Sequence, residues 1–144
     1  MTDSDFQVNV PSGFSNPDRQ NLSDEERAVA RGIAGSEEEF RRNKLEFLAA
    51  EDRRRQRGQD LGKQVQAVLA ELGADYRLVS VTWNGNTLSW TLEVSTPQAS
   101  HNVVLPWTLV DDVLDARTRG EFQRLRNMVL FGLGRRELIF ERHR

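Results

Sequence analysis

Between Tyr76 and Val94 the chain alternates apolar and polar positions with a period of two, on both sides of Asn84-Gly85. Such alternation sends successive side chains to opposite faces of a strand. Asn-Gly between two β-rich runs is a strong signal for a two-residue type I′ hairpin turn. That turn predicts pairing of Val81 with Leu88 and of Val79 with Trp90. One face then carries Val79, Val81, Trp83, Leu88, Trp90, Leu92 and Val94; the other carries Leu78 and a row of Ser and Thr. A hairpin alone is marginal in water, so its apolar face needs a cover.

Helical spacing supplies one. Leu61, Val65, Val68, Leu69 and Leu72 form a single helical stripe, with Asp60 as its cap and Gly73 just past its end. After the hairpin, His101 to Leu105 alternates as a third strand, antiparallel to the second and ended by Pro106. Trp107 to Ala116 is expected to be helical. Phe122, Leu125, Met128, Val129 and Leu133 mark a last long helix, opened by the capping box Thr118-x-x-Glu121. Residues 135–144 stay open between two readings, a strand through Leu138 and Phe140 or a closing helical turn.

The first part of the chain is more polar. Phe6-x-Val8-x-Val10 alternates like one strand, but Pro11-Ser12-Gly13 and Asn16-Pro17 interrupt it. Residues 1–22 are accordingly expected to be a flexible tail. Ser23 to Glu26 is a capping box that starts a short helix. Ser36 to Glu39 is a second one, opening a helix laced with Glu37/Arg41, Glu38/Arg42 and Glu51/Arg55 pairs. Gly58 reads as a breaker that separates this helix from the Leu61–Leu72 stripe.

The expected fold is therefore α+β. An antiparallel three-stranded sheet carries helices packed on one face, in the order helix–β-hairpin–strand–helix. A charged helical arm (23–57) and the flexible N-terminal tail (1–22) precede this small domain (58–144).

Composition narrows the function classes. A chain of 144 residues holds one compact domain and a tail. There is no cysteine, which excludes disulfides, thiolate metal sites and cysteine catalysis. No apolar run approaches the roughly 20 residues of a membrane span, and no secretory signal is visible at the start. A cytoplasmic location, without membrane contact, is the expectation.

The net charge of −2 conceals a segregation. Residues 1–40 carry nine acids against three Arg, and residues 41–57 seven basic residues against three acids. Residues 58–116 are acidic again; residues 117–144 hold eight Arg against three acids. Eighteen of the twenty basic residues are Arg, whose planar fork suits carboxylates, phosphates and aromatic faces.

Catalytic constellations are not evident. His101 and His143 are the only histidines and lie in no metal-ligand spacing. Asp111, Asp112 and Asp115 could hold a magnesium ion, but they equally suit the start of a helix. No phosphate-binding glycine loop or nucleophile elbow is present. No catalytic, cofactor-binding or metal-binding residue is assigned, no cofactor is expected, and an enzyme is not the favoured reading.

Two functional readings remain. The first is a non-enzymatic protein-binding, adaptor or regulatory module that engages a partner protein or a second copy of itself. The helical arm has a narrow apolar face, so Phe40, Phe47 and Leu48 are its candidate contacts, with Trp107 on the domain surface. The second is a nucleic-acid-binding accessory protein using Arg53, Arg54, Arg55, Arg57, Arg117, Arg119, Arg124, Arg126, Arg135 and Arg136. The order helix–three strands–helix is also that of double-stranded RNA-binding domains. Their lysine-rich start of the last helix is missing, that place reading Thr118-Arg119-Gly120-Glu121-Phe122, and the chain is not assigned to them.

Overall fold

The computed structural model describes residues 6–14, 18, 21–34, 37–116 and 119–141. Among them are four strands and five α-helices: β1 (Gln7–Asn9), α1 (Asp24–Val29), α2 (Glu37–Ala70), β2 (Arg77–Asn84), β3 (Ser89–Ser95), β4 (Ser100–Pro106), α3 (Trp107–Ala116), α4 (Arg119–Gly132) and α5 (Arg136–Glu141). A π-helical turn, Ala30–Ala34, follows α1. The chain divides into two compact units, Pro11–Arg55 on the one hand and Met1–Val10 with Gln56–Arg144 on the other.

The larger unit holds a mixed four-stranded sheet in the order β1-β2-β3-β4. This corrects the expected antiparallel three-stranded sheet. The fourth strand is β1, which pairs in parallel with β2 and sets Val8 beside Val81. It comes from the segment expected to be a flexible tail. Phe6, at 6% exposure, and Val10, at 7%, are buried in the core that the hairpin opens. Three alternating apolar side chains are enough to anchor a strand once a groove exists to receive them.

The groove is made by glycines. Gly58 is not a breaker, since α2 runs unbroken through it. A Cβ at Gly58 would stand 2.5 Å from a Val8 methyl and 3.1 Å from the Trp90 ring, and one at Gly62 would collide with the Phe6 ring. A glycine inside a helix costs about 1 kcal/mol against alanine. Here its missing side chain lets helix and strand approach closely.

The hairpin also departs from expectation. Trp83 pairs with Trp90, Val81 with Leu92 and Asn84 with Ser89, so Gly85 to Leu88 form a longer turn. The Asn84 side-chain oxygen accepts from the Asn86 and Thr87 amides at 2.9 and 3.3 Å. Leu88 takes the left-handed corner with φ of 53°. This register gains a Trp83–Trp90 contact with ring centroids 5.1 Å apart. A bulge between Leu78 and Ser80 then reverses the facing at the strand's start. Leu78, not Val79, joins the core at 1% exposure.

Val81, Leu92 and Val103 align in one cross-strand row, and Trp83, Trp90 and Leu105 in the next. All six are buried with Leu61, Val65, Val68 and Leu69 of α2, Val110 and Val113 of α3, and Leu125, Val129 and Leu130 of α4. The opposite face carries Ser80, Thr82, Thr91, Glu93, Asn102 and Val104, half-buried or exposed. Residues 136–141 are helical, which resolves the ambiguous C-terminal stretch, and Leu138 and Ile139 pack against the core.

In the smaller unit Ser23 caps α1 in a complete capping box with Glu26. Lys44 of α2 is 1% exposed and donates to Glu26 Oε1 at 2.9 Å. Glu51 is held at the other end by the Ser12 hydroxyl at 2.9 Å and the Gly13 amide at 2.6 Å. Among the described residues, Leu22, Ala30 and Leu48 are its buried apolar side chains. The second and third expected capping boxes rest on Ser36 and Thr118, outside the described residues.

Candidate functional site

Four arginines of the larger unit, Arg57, Arg124, Arg126 and Arg135, meet acids. Arg57 reaches Asp115 at 2.6 Å and Asp111 at 3.8 Å. Arg124 pairs with Glu121 at 2.7 Å and Asp112 at 3.6 Å. Arg126 is 5% exposed and donates from Nε to Glu71 at 2.9 Å. Arg135 donates to Glu137 at 2.7 Å and to the Tyr76 hydroxyl at 2.9 Å. The Glu137 carboxylate and the Tyr76 hydroxyl hold the Arg135 guanidinium above its usual pKa, and Arg135 in turn holds the Glu137 carboxyl below its own. Arg136 lies over the Phe131 ring at 5.7 Å, and Arg119 is exposed. In the smaller unit Arg53 is exposed, Arg54 half-buried, and Arg55 bonds Asp52 at 2.9 Å. Arg117 lies outside the described residues.

The same contacts place the acids of residues 111–115. Asp111 and Asp115 bracket one guanidinium, that of Arg57. No group of three or more His, Asp or Glu among the described residues is arranged to hold a metal ion. His101 sits on β4 opposite Val94, half-buried; His143 is outside the described residues. A shallow cleft of about 370 Å³ opens between the end of α2 and the start of β2, bordered by Leu69, Gly73, Tyr76 and Leu78.

The apolar candidates separate into three kinds. Leu48 is a core residue of the smaller unit at 3% exposure, and Phe40 is half-buried. Phe47 is 56% exposed, although its ring meets Phe14 edge-on at 5.6 Å. Trp107 is 44% exposed as the first residue of α3. Its amide donates to the carbonyl of Leu88 at 3.1 Å, another large apolar residue, half exposed.

Sequence reasoning missed Leu88, because a two-residue turn would have put it in the sheet's apolar face. It also missed Val104, 55% exposed on β4. Its signal was present: with Val103 and Leu105 turned to the core, period-two alternation sends Val104 outward.

Compared with known proteins, the chain matches no family model, no curated protein and no solved structure. Among the described residues no helix is long and apolar enough to cross a membrane.

Proposed function

We propose that this chain is a non-enzymatic protein-binding module, of the adaptor or regulatory kind. The observation that carries the reading is the exposure of Trp107, a large aromatic side chain at 44%, whose backbone is hydrogen-bonded to that of Leu88, itself 50% exposed. Tryptophan in such a position is a typical anchor of protein interfaces, where a few buried aromatic residues supply most of the binding energy. Phe47 offers the smaller unit a second anchor of the same type.

The nucleic-acid reading is weaker. Phosphate binding needs cations free to replace counterions, and four of the ten candidate arginines, Arg57, Arg124, Arg126 and Arg135, already hold carboxylates.

Site-specific photo-crosslinking in cells tests the proposal. A photoreactive residue is placed at 107, at 47, or at the exposed turn position 86 as control. Discrete protein adducts at 107 or 47 and none at 86 are the expected result. The same adducts at all three positions, or none at any, overturn the reading.

A further inference from the structure

β4 forms one margin of the sheet, and its backbone polarity can be read from the ladder on its inner side. Trp107 donates to the Leu88 carbonyl at 3.1 Å and Thr96 to the Ala99 carbonyl at 2.9 Å. These bonds close the two ends of an unbroken antiparallel register that pairs Trp90 with Leu105, Leu92 with Val103 and Val94 with His101. Hydrogen-bonded and non-bonded pairs alternate along such a ladder. Both end bonds give the bonded pairs to the odd-numbered residues of β4. Ser100, Asn102 and Val104 therefore turn their N–H and C=O groups away from the sheet. Pro106 faces outward too, with no N–H to offer. All four residues are exposed.

Edge strands are normally guarded against pairing by lysines or other charges, by bulges or by shortness. β4 has seven residues, a regular register and no charged side chain. Among the features of the strand itself Pro106 guards the edge, at the end nearest α3.

The geometry points to a second copy of this chain as the occupant of that edge, paired antiparallel, β4 to β4, about a two-fold axis at Asn102. This deepens the protein-binding reading and rests on it. In this register Asn102 faces its own counterpart, and Ser100 faces Val104 of the other copy. Every outward N–H and C=O of the three residues finds a partner, on the order of six hydrogen bonds in all. Opposite Ser100 or Asn102 of the other copy, Pro106 could accept a hydrogen bond but not donate one. A two-fold contact brings like against like. A strand without charge tolerates that, whereas a charged one would be repelled. The two Asn102 amides can bond each other across the axis. An unrelated strand could satisfy the same backbone groups but would not gain the Asn102 pairing.

Sedimentation velocity of the full chain over a wide concentration range tests the pairing. The expected species moves from 16.5 kDa to twice that mass. Asn102→Lys and Asn102→Asp each place like charges at the axis, and each alone is expected to weaken the dimer by roughly tenfold or more. Asn102 is exposed, so unchanged circular dichroism verifies that the monomer is intact. An equal mixture of the two variants restores the dimer through a Lys–Asp pair. A wild-type chain that stays monomeric throughout, a dimer untouched by either variant, or a mixture that fails to reassociate overturns the inference. A monomeric wild type that still yields adducts with another protein from position 107 removes the β4 pairing and leaves the protein-binding reading standing.

Discussion

A Cβ added at Gly132 would lie 2.8 Å from both methyls of Val103, a stiff β-branched side chain at 3% exposure. Alanine would gain about 1 kcal/mol of helix propensity there. Overpacking against a side chain that cannot turn away costs about 1–3 kcal/mol. The net expectation for Gly132→Ala, and for Gly62→Ala against the Phe6 ring, is a loss of stability. Gly32 is the contrast: nothing stands within 4 Å of its missing Cβ, and Gly32→Ala is expected to gain about 0.5–1 kcal/mol. Urea unfolding midpoints of the three variants decide the matter. A stabilising Gly132→Ala would show that close packing is not the reason for that glycine. At this scale the sequence misleads, because a helical glycine reads as a breaker whether or not another side chain fills its space.

Elements show where local pattern ends and contact begins. β1 has only three residues, and its alternation is too short to distinguish a strand from a tail. Its burial makes a measurable difference. Phe6→Ala is expected to cost about 3–5 kcal/mol, where a solvated tail would register nothing in a denaturant titration. α1 depends on a cap with its own pH response. Burial of the Glu26 carboxyl works to raise its pKa, but the Ser23 amide, the Lys44 ammonium and the Ser23 hydroxyl together hold it below the ordinary value. A carboxyl lowered in this way stabilises the fold above its unfolded pKa and loses that contribution as pH falls through the folded one. The protection of the Asp24–Val29 amides, their exchange rate set against the intrinsic rate at each pH, is therefore expected to fall as pH drops below the ordinary carboxylate range. Glu26→Gln should remove that acid-dependent step. Protection with the same pH profile in both proteins would rule out the Glu26 cap as its cause. Glu26→Ala also leaves the Lys44 ammonium buried without this partner, for about 1–3 kcal/mol.

For the whole molecule, electrostatics separates the two functional readings. The net charge is −2, and the guanidiniums of Arg57, Arg124, Arg126 and Arg135 already meet Asp111, Asp115, Glu121, Glu71 and Glu137, which weighs against phosphate binding by these four. A mobility-shift titration with single- and double-stranded DNA and RNA at low salt is expected to show no complex. A complex that weakens steeply as salt rises would reinstate the Arg-based reading. The site proposed in its place was half legible. Trp107 was identifiable from its position after Pro106, but its neighbour Leu88 was not, because that contact depends on the hairpin register.

What the chain determines by itself is local. Helical spacing located the Leu61–Leu72 stripe and the last long helix, side-chain chemistry located the Ser23 cap, and alternation located β2, β3 and β4. Each follows from a periodicity of neighbouring residues, which reports which face is apolar. Only the tertiary structure decided what covers each face and which charges meet. Arg57 finds Asp115 across 58 positions, and Val8 finds Val81 in a parallel pair. The hairpin register brings the Trp83 and Trp90 rings together at a tilt, and the strand laid against Gly58 and Gly62 gives those glycines their roles. Such choices balance packing between distant segments against local turn preference, and the packing term does not exist until the chain has folded.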